Sequence, residues 1–320
     1  MTSSADVATR AGVSRSTVSQ ILNGRGHLFT EETVALVRHT AEAMEYRPSL
    51  AGRTLARGKS DIVITLIPDI TFGPPVREFV DLLTDGLAKA GLTNLLRLAS
   101  SGSSLQDAIL GLRPHAVVAM AQLSDEETLR LKRQGVHVLG FIPSAQAAVD
   151  LEIGRLQAAH LKSQGYDQIV AVRPMDKREK YSAPHRVDGV IQFGGRNDMV
   201  VLPTLEIGLT SHEALAALDS LPVGRVGMAC YNDDVALAIV GAAQRRGLGI
   251  PGDVGVIGVD NSVVARASTP TISTIDISNE VNARELIGHI LSGDQLEVEP
   301  ESMSEHISGL KVIARESTGA

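Results

Sequence analysis

Residues 4 to 22, SADVATRAGVSRSTVSQIL, set two short amphipathic helical patterns on either side of one glycine, which constrains the start of the chain more than any other stretch. Ser4 is expected to cap a first helix with Val7, Ala8 and Ala11 on one face. Gly12 permits a tight turn, and Ser14 caps a second helix that buries Val18, Ile21 and Leu22. What remains on the outside of the second helix is polar: Arg15, Ser16, Ser19 and Gln20. Such a helix can enter the major groove and bring donors and acceptors to base edges. Two capped helices alone would suit any all-α domain. Here, however, Thr30-Glu31-Glu32-Thr33 opens a third helix with Val34, Val37, Ala41 and Met44 at helical spacing, so a small core can close around the reader. The pattern reads as a helix-turn-helix.

Charge divides along the same line. Residues 1 to 60 carry eight Lys and Arg against five Asp and Glu, a surplus of three. The remaining 260 carry 22 against 32, a deficit of ten, and together these make the net charge of −7. A basic head on an acidic body suits phosphate contact at one end only, because each neutralised phosphate releases counterions while an acidic surface is repelled.

With 320 residues the chain exceeds one compact core, and some 260 residues follow the basic head. From Asp61 short apolar runs alternate with amphipathic segments. IVITLIP (62 to 68), TNLLRLAS, AVVAMA (116 to 121) and VHVLGF (136 to 141) read as strands, with helices at VREFVDLLTDGLAKAG and around Leu129 and Leu131. The series restarts after Asp150. A helix around Ala158 to Leu161 precedes strand QIVAV, a long polar loop and strand MVVLP. A helix around Leu215 and Leu218, strand RVGMACY, a helix from Asp234 to Gly247 and strand VGVIGV follow. A helix from about Ser278 to Leu291 and strand-like LKVIAR end the chain. This is a doubly wound parallel pattern in two similar halves.

ADVATRAGVSRSTVSQILNG, TEET and YRPSLAGRTLARG together resemble the DNA-binding headpiece and hinge of the LacI/GalR family of bacterial repressors. Arg186 with Gly189 is similar to that family's R-x-x-G element. YNDDVALAIVGAAQRRGLGIPGDVGVIGVDN resembles its N-D-x-x-A stretch and following G-x-D, and RESTG resembles its terminal strand. The resemblance is weakest between about 68 and 150. It implies a small all-α helix-turn-helix headpiece (1–46), a hinge (47–60), and an α/β effector-binding and dimerisation domain (61–320). That domain would hold two doubly wound parallel-sheet subdomains of the type I periplasmic-binding-protein-like fold. The N-subdomain would span about 61–147 plus 277–297, the C-subdomain about 148–276 plus 298–320.

The resemblance also assigns roles. Arg15, Ser16 and Gln20 match the base-reading positions. Arg suits guanine O6 and N7, and Gln suits adenine N6 and N7, so an A·T pair is expected in the half-site. Ser14, Thr17, Ser19, Asn23, Arg25 and His27 cap helices or touch phosphate. Leu55 matches the hinge leucine that pries open a base step in the minor groove, with Ala56 beside it. Gly52 stands where the family has Ala, and glycine costs roughly 1 kcal/mol of helix stability, so the hinge should be less helical off DNA and Gly52→Ala should tighten binding. Arg186, Asn232 and Asp260 match effector contacts, apt for a hydroxyl-rich ligand. The chain has no Trp and few aromatics, so a stacking platform for a ring would fall to Phe72, Phe141, Phe193 or Tyr231, each of which also reads as core or rim. Asn and Asp at strand ends also cap helices, and of the two neighbours Asp233 reads as the better cap than Asn232. PDITFGPPVREF departs from the family's first loop, and Pro143 stands where sugar-responsive members offer an aspartate.

The expected protein is therefore a transcription repressor binding a palindromic operator as a homodimer, its affinity modulated by a sugar-like small molecule in a cleft between the subdomains. Control by a protein corepressor, with a non-sugar or vestigial cleft, is the alternative; an enzyme fused to a DNA reader is less favoured. GVIGVD lacks G-x-G-x-x-G, and no G-x-x-x-x-G-K-[ST] or G-x-S-x-G occurs, so no enzyme, catalytic residue or cofactor is expected. The nine histidines have no pair at three- or four-residue spacing and Cys230 is the single cysteine, so neither a metal site nor a disulfide framework is expected. No apolar run reaches membrane-spanning length and no secretion signal is read, so a cytoplasmic location is expected.

Overall fold

In a computed structural model of the chain, the described residues are 2–47, 54, 58–67, 74–98, 111–120, 123–140, 143–175, 183–277, 279–294, 307 and 309–319. They gather into two units. One comprises Met1–Leu66, Leu87–Ala119 and Leu123–Val138, and the other Ile67–Gly86, Met120–Gln122 and Leu139–Ala320.

The first unit opens with three helices: α1 (Ser4–Ala11), α2 (Arg15–Leu22) and α3 (Glu31–Ala43), with a 3-10 turn at Gly26–Leu28. Val7, Ala8, Ala11, Val18, Ile21, Val37 and Ala41 form their common core, and Leu22, Val34 and Met44 pack against it half-buried. Gly12 takes φ 66, the left-handed conformation that glycine adopts without steric cost, and returns its N–H to the carbonyls of Ala8 and Thr9. One detail differs from expectation. The cap of α1 is Ser3, whose hydroxyl accepts from the Asp6 N–H while the Asp6 carboxylate accepts from the Ser3 N–H, a reciprocal box that Ser4 cannot form.

The strand expected at 62 to 68 is β1 (Ile62–Ile67), in a four-stranded sheet with β2 (Thr93–Leu98), β3 (Ala116–Ala119) and β4 (His137–Gly140), ordered β2-β1-β3-β4. β1 and β3 run parallel, Val63 opposite Ala116. Helix α4 (Pro74–Lys89) links β1 to β2, and α5 (Asp125–Arg133) links β3 to β4, its N-terminus closed by a Ser124–Glu127 capping box. Ile64, Leu66, Val117, Leu131 and Val138 form the core on this sheet.

The second sheet has seven described strands: β5 (Gln168–Pro174), β6 (Val200–Val201), β7 (Leu205–Ile207), β8 (Val226–Cys230), β9 (Val254–Val259), β10 (Ser273–Asp276) and β11 (Lys311–Ile313). The order is β11-β10-β9-β8-β5-β6, with β7 also on β5. Every described pairing is parallel except β10 with β11, where the chain turns back on itself at the edge. The central strands β8 and β9 are buried at every residue, which explains their unbroken apolar sequence. Helices α6 (Pro143–Ser163), α7 (Ala183–Arg196), α8 (Ser211–Leu218), α9 (Asp233–Arg246), α10 (Val263–Ala267) and α11 (Asn279–Ser292) complete this part.

Two expectations are corrected here. The helix around Ala158 to Leu161 is the last part of a 21-residue helix that starts at Pro143. The stretch expected as a long polar loop holds α7. Its glycines suggest a loop, but they serve packing. A Cβ on Gly189 would lie 2.1 Å from the Leu151 carbonyl oxygen of α6, and one on Gly154 would lie 2.0 Å from the Arg186 carbonyl oxygen of α7. The two backbones therefore touch at a glycine pair, and a larger residue at either position would separate the helices.

The terminal RESTG segment locks against the second sheet. The Ser317 hydroxyl donates to the Val256 carbonyl at 2.6 Å, and the Ser317 N–H donates to the Thr271 carbonyl at 3.0 Å. The Thr318 hydroxyl lies 2.8 Å from His160 Nε2 and 2.7 Å from the Ser273 hydroxyl, all buried.

Candidate nucleic-acid interface and effector site

Helix α2 has the features of a groove-entering helix. The Ser14 hydroxyl accepts from the Thr17 N–H at 3.0 Å and lies 2.8 Å from the Thr17 hydroxyl, so Ser14 and Thr17 together close the N-terminus. Val18 and Ile21 point into the core, while Arg15, Ser16 and Ser19 are exposed and Gln20 is half-exposed on the other face. Arg15 donates through Nε to the Ser4 hydroxyl at 3.0 Å, and Gln20 donates through Nε2 to the Ser16 hydroxyl at 3.3 Å. Asn23 occupies the C-terminal cap and its amide donates to the Ser19 hydroxyl at 3.2 Å. Arg25 and His27 are exposed in the turn that follows. Gly52, Leu55 and Ala56 lie outside the described residues, as do Phe72 and Phe141.

In the second sheet the three expected effector contacts converge at the carboxyl ends of parallel strands, where ligands of open α/β sheets bind. β8 and β9 pair with Ala229 opposite Ile257. Asn232 follows the end of β8 and Asp260 follows the end of β9. Arg186 reaches the same edge from α7, where its Nη1 donates to the Tyr231 carbonyl at 2.6 Å and its guanidinium carbon lies 4.4 Å from the centre of the Tyr231 ring.

A residue that sequence reasoning missed holds this arginine. Asp150 of α6 is fully buried, accepts from Arg186 Nε at 2.8 Å and accepts from the Gln146 amide at 3.1 Å. Burial by itself would lower the pKa of Arg186. The charge of Asp150, with smaller contributions from Tyr231 and Asp260, more than offsets this and holds it above the ordinary arginine value. The guanidinium is thus a fixed cation, two of its three nitrogens committed to the protein. Gln157 of α6, also buried, completes the floor by donating to the Cys230 carbonyl at 2.7 Å and the Gly258 carbonyl at 3.2 Å. A recess lined by Gln157, Arg173, Arg186, Ala229 and Tyr231 has room for about one water molecule.

Asn232, and not Asp233, is the cap. Asn232 caps α9, its side-chain oxygen accepting from the Val235 N–H at 3.0 Å, so what it can offer a ligand is its amide N–H pair. Asp233 is buried and faces inward, accepting from the Ser262 N–H at 2.7 Å and the Thr274 hydroxyl at 2.8 Å. Desolvation raises its pKa against the pull of those hydrogen bonds. Asp260 and Asn261 have φ of 103 and 48, left-handed conformations that are costly for residues with a Cβ. They persist because the surroundings fix them. The Asp260 N–H donates to the Ile275 carbonyl at 2.8 Å, and the Asn261 N–H donates to the Thr274 hydroxyl at 3.1 Å. Arg315 donates to the Asn261 side-chain oxygen at 2.5 Å.

Among the described residues no group of three or more His, Cys, Asp or Glu is placed to hold a metal ion, and no helix is long and apolar enough to cross a membrane. Cys230 is buried at the end of β8, and burial, then Asp233, pushes its thiol well above the usual range.

Comparison with known proteins bears on the family and the fold. Residues 5–49 match the model of bacterial regulatory proteins of the lacI family, and residues 158–318 match that of the periplasmic binding protein-like domain. Catabolite control protein A of Priestia megaterium is 26% identical over 289 residues, covering 84% of this chain and 86% of the relative. The crystal structure of the lac repressor dimer bound to operator and the anti-inducer ONPF superposes with a TM-score of 0.77 at 18% identity, covering 100% of this chain and 99% of that one. The cellobiose complex of the transcriptional regulator CelR superposes at 0.63 and 21% identity, covering 99% and 100%. A helix-turn-helix headpiece, two parallel α/β sheets and these matches lead to one conclusion: the chain belongs to the LacI family, DNA-binding transcription regulators that are not enzymes, with a periplasmic-binding-protein-like effector domain.

Proposed function

We propose that this regulator is a cytoplasmic repressor that binds a near-palindromic operator as a homodimer and changes its affinity when a neutral, hydroxyl-rich small molecule occupies the strand ends of its second sheet. The observation that carries the ligand half of this reading is the trio of Arg186, Asn232 and Asp260. A fixed cation and an amide donor stand beside a carboxylate that can accept from paired hydroxyls. Because buried Asp150 already balances Arg186, a neutral ligand fits the local charge better than an anion. The cellobiose complex of CelR and the operator-bound lac repressor dimer lend support by likeness of fold.

On the DNA side, Arg15, Ser16 and Gln20 are the proposed base contacts, with Arg25 and His27 on phosphate and Leu55 and Ala56 in the minor groove. One headpiece reads only a few base pairs, so specificity asks for two. An effector shifts DNA affinity only by its differential affinity for the two states of the protein.

The test measures operator affinity with and without each member of a panel of sugars, polyols and nucleosides, in the wild type and in Asp260→Asn. One compound should change affinity at least severalfold in the wild type, and Asp260→Asn should need at least tenfold more of it. A compound that acts equally on both proteins contradicts the assignment of Asp260. A panel without effect, together with a copurifying protein that alters affinity, favours a protein corepressor.

A further inference from the structure

We infer that Ser4 sets base preference at one position of the operator half-site by fixing the guanidinium of Arg15, without reading a base itself. The inference rests on Arg15 being a base contact, as proposed above.

Arg15 is the first residue of α2, and the N-terminal residues of a recognition helix are those that reach base edges. An arginine can match guanine O6 and N7 in two ways, through its side edge, Nε with one Nη, or through its end, Nη1 with Nη2. Left to rotate, it samples both and many poses besides. In this chain the side edge is engaged, because Nε donates to the Ser4 hydroxyl at 3.0 Å. Ser4 can spend its hydroxyl this way because the helix does not need it. The cap of α1 is Ser3, whose reciprocal bonds with Asp6 already satisfy the N-terminus. The bond crosses from the first turn of α1 to the first turn of α2, two helices that share a packed core, so the guanidinium is anchored to a rigid frame.

What remains for DNA is the terminal pair of nitrogens, whose spacing suits the O6 and N7 of guanine. A side chain already held in its bound conformation loses less freedom on binding, and an off-register base gains nothing from a guanidinium that cannot swing to meet it. Ser4 is therefore a positioning residue, and its signature is selective. It changes discrimination at the base pair read by Arg15 and nowhere else.

The experiment uses the full chain. A preferred site is selected from random DNA, every single base-pair change in one half-site is made, and affinities are measured for the wild type, Arg15→Met, Ser4→Ala and Ser4→Thr across a range of salt. Arg15→Met should abolish preference at one guanine. Ser4→Ala should weaken preference at that same guanine about three- to tenfold, with the other positions and the slope of log K against log salt unchanged. Ser4→Thr, which keeps a hydroxyl, should restore it.

If Arg15→Met leaves every preference intact, the reading of Arg15 fails and the inference with it. If Arg15→Met acts but Ser4→Ala is silent, Arg15 stands and the inference is wrong. A uniform loss across all sequences with a shallower salt slope makes Ser4 a phosphate contact and equally overturns it. The melting temperature of each variant separates these outcomes from unfolding, which the intact Ser3–Asp6 cap should prevent.

Discussion

At the scale of single residues, the chemistry rests on pairs distant in sequence. Asp150 and Arg186 are 36 positions apart, and a lone aspartate in VDLEIG gives no sign that it will be buried against an arginine. Arg186 and Asp260 are singled out in the sequence only by their likeness to family elements, whose residues keep fixed spacing. That Asn232 caps while Asp233 turns inward was not legible, since either side chain can cap and only the packing of β10 and α10 decides which one turns inward. Asp150→Ala leaves a buried guanidinium without its counter-charge. It should cost about 3–5 kcal/mol in denaturant unfolding, a much larger loss than for an exposed pair such as Arg77 with Asp81. A second test is pH. Burial holds the imidazole of His160 below its ordinary value of 6.5, so the unfolded chain takes up a proton that the folded chain refuses. Stability contributed by the neutral ring is present above pH 6.5 and falls away as pH drops below it. His160→Gln should flatten that part of the stability profile measured by denaturant midpoints, and an unchanged profile would mean that His160 is not its source.

Elements were read well wherever periodicity was regular. β1, β2, β3, β4, β8 and β9 lie within a residue or two of the apolar runs that announced them, and α9 ends at Gly247, whose φ of 72 closes the helix as expected. α7 was missed because helix propensity and helix packing conflict there. APHRVDGVIQFGGR carries a proline and three glycines, which lower intrinsic helicity, yet Gly189 and Gly194 are what allow α7 to lie against α6 and β5. Gly189→Ala should therefore destabilise the protein by about 1–3 kcal/mol, although alanine is the better helix former. The free energy of unfolding in urea checks this, and a gain in stability would refute the close approach. β10 and α10 also escaped notice, since four or five residues without strong periodicity carry little signal.

For the whole molecule, the division into a basic head and an acidic body and the two parallel sheets were legible from composition and alternation. The antiparallel return of β11 was not, because nothing local distinguishes an edge strand that reverses from one that continues. The claim on which the account depends is that α2 reads sequence, two chains at a time. The most direct measurement is selection of binding sites from a random DNA pool by the purified full chain at stated salt, followed by the stoichiometry on the selected site. The account predicts a near-palindrome bound by two chains, its affinity falling with salt and its half-site preference altered by Gln20→Ala at an A·T pair. Enrichment of no sequence, or of an asymmetric site bound by one chain, would contradict it.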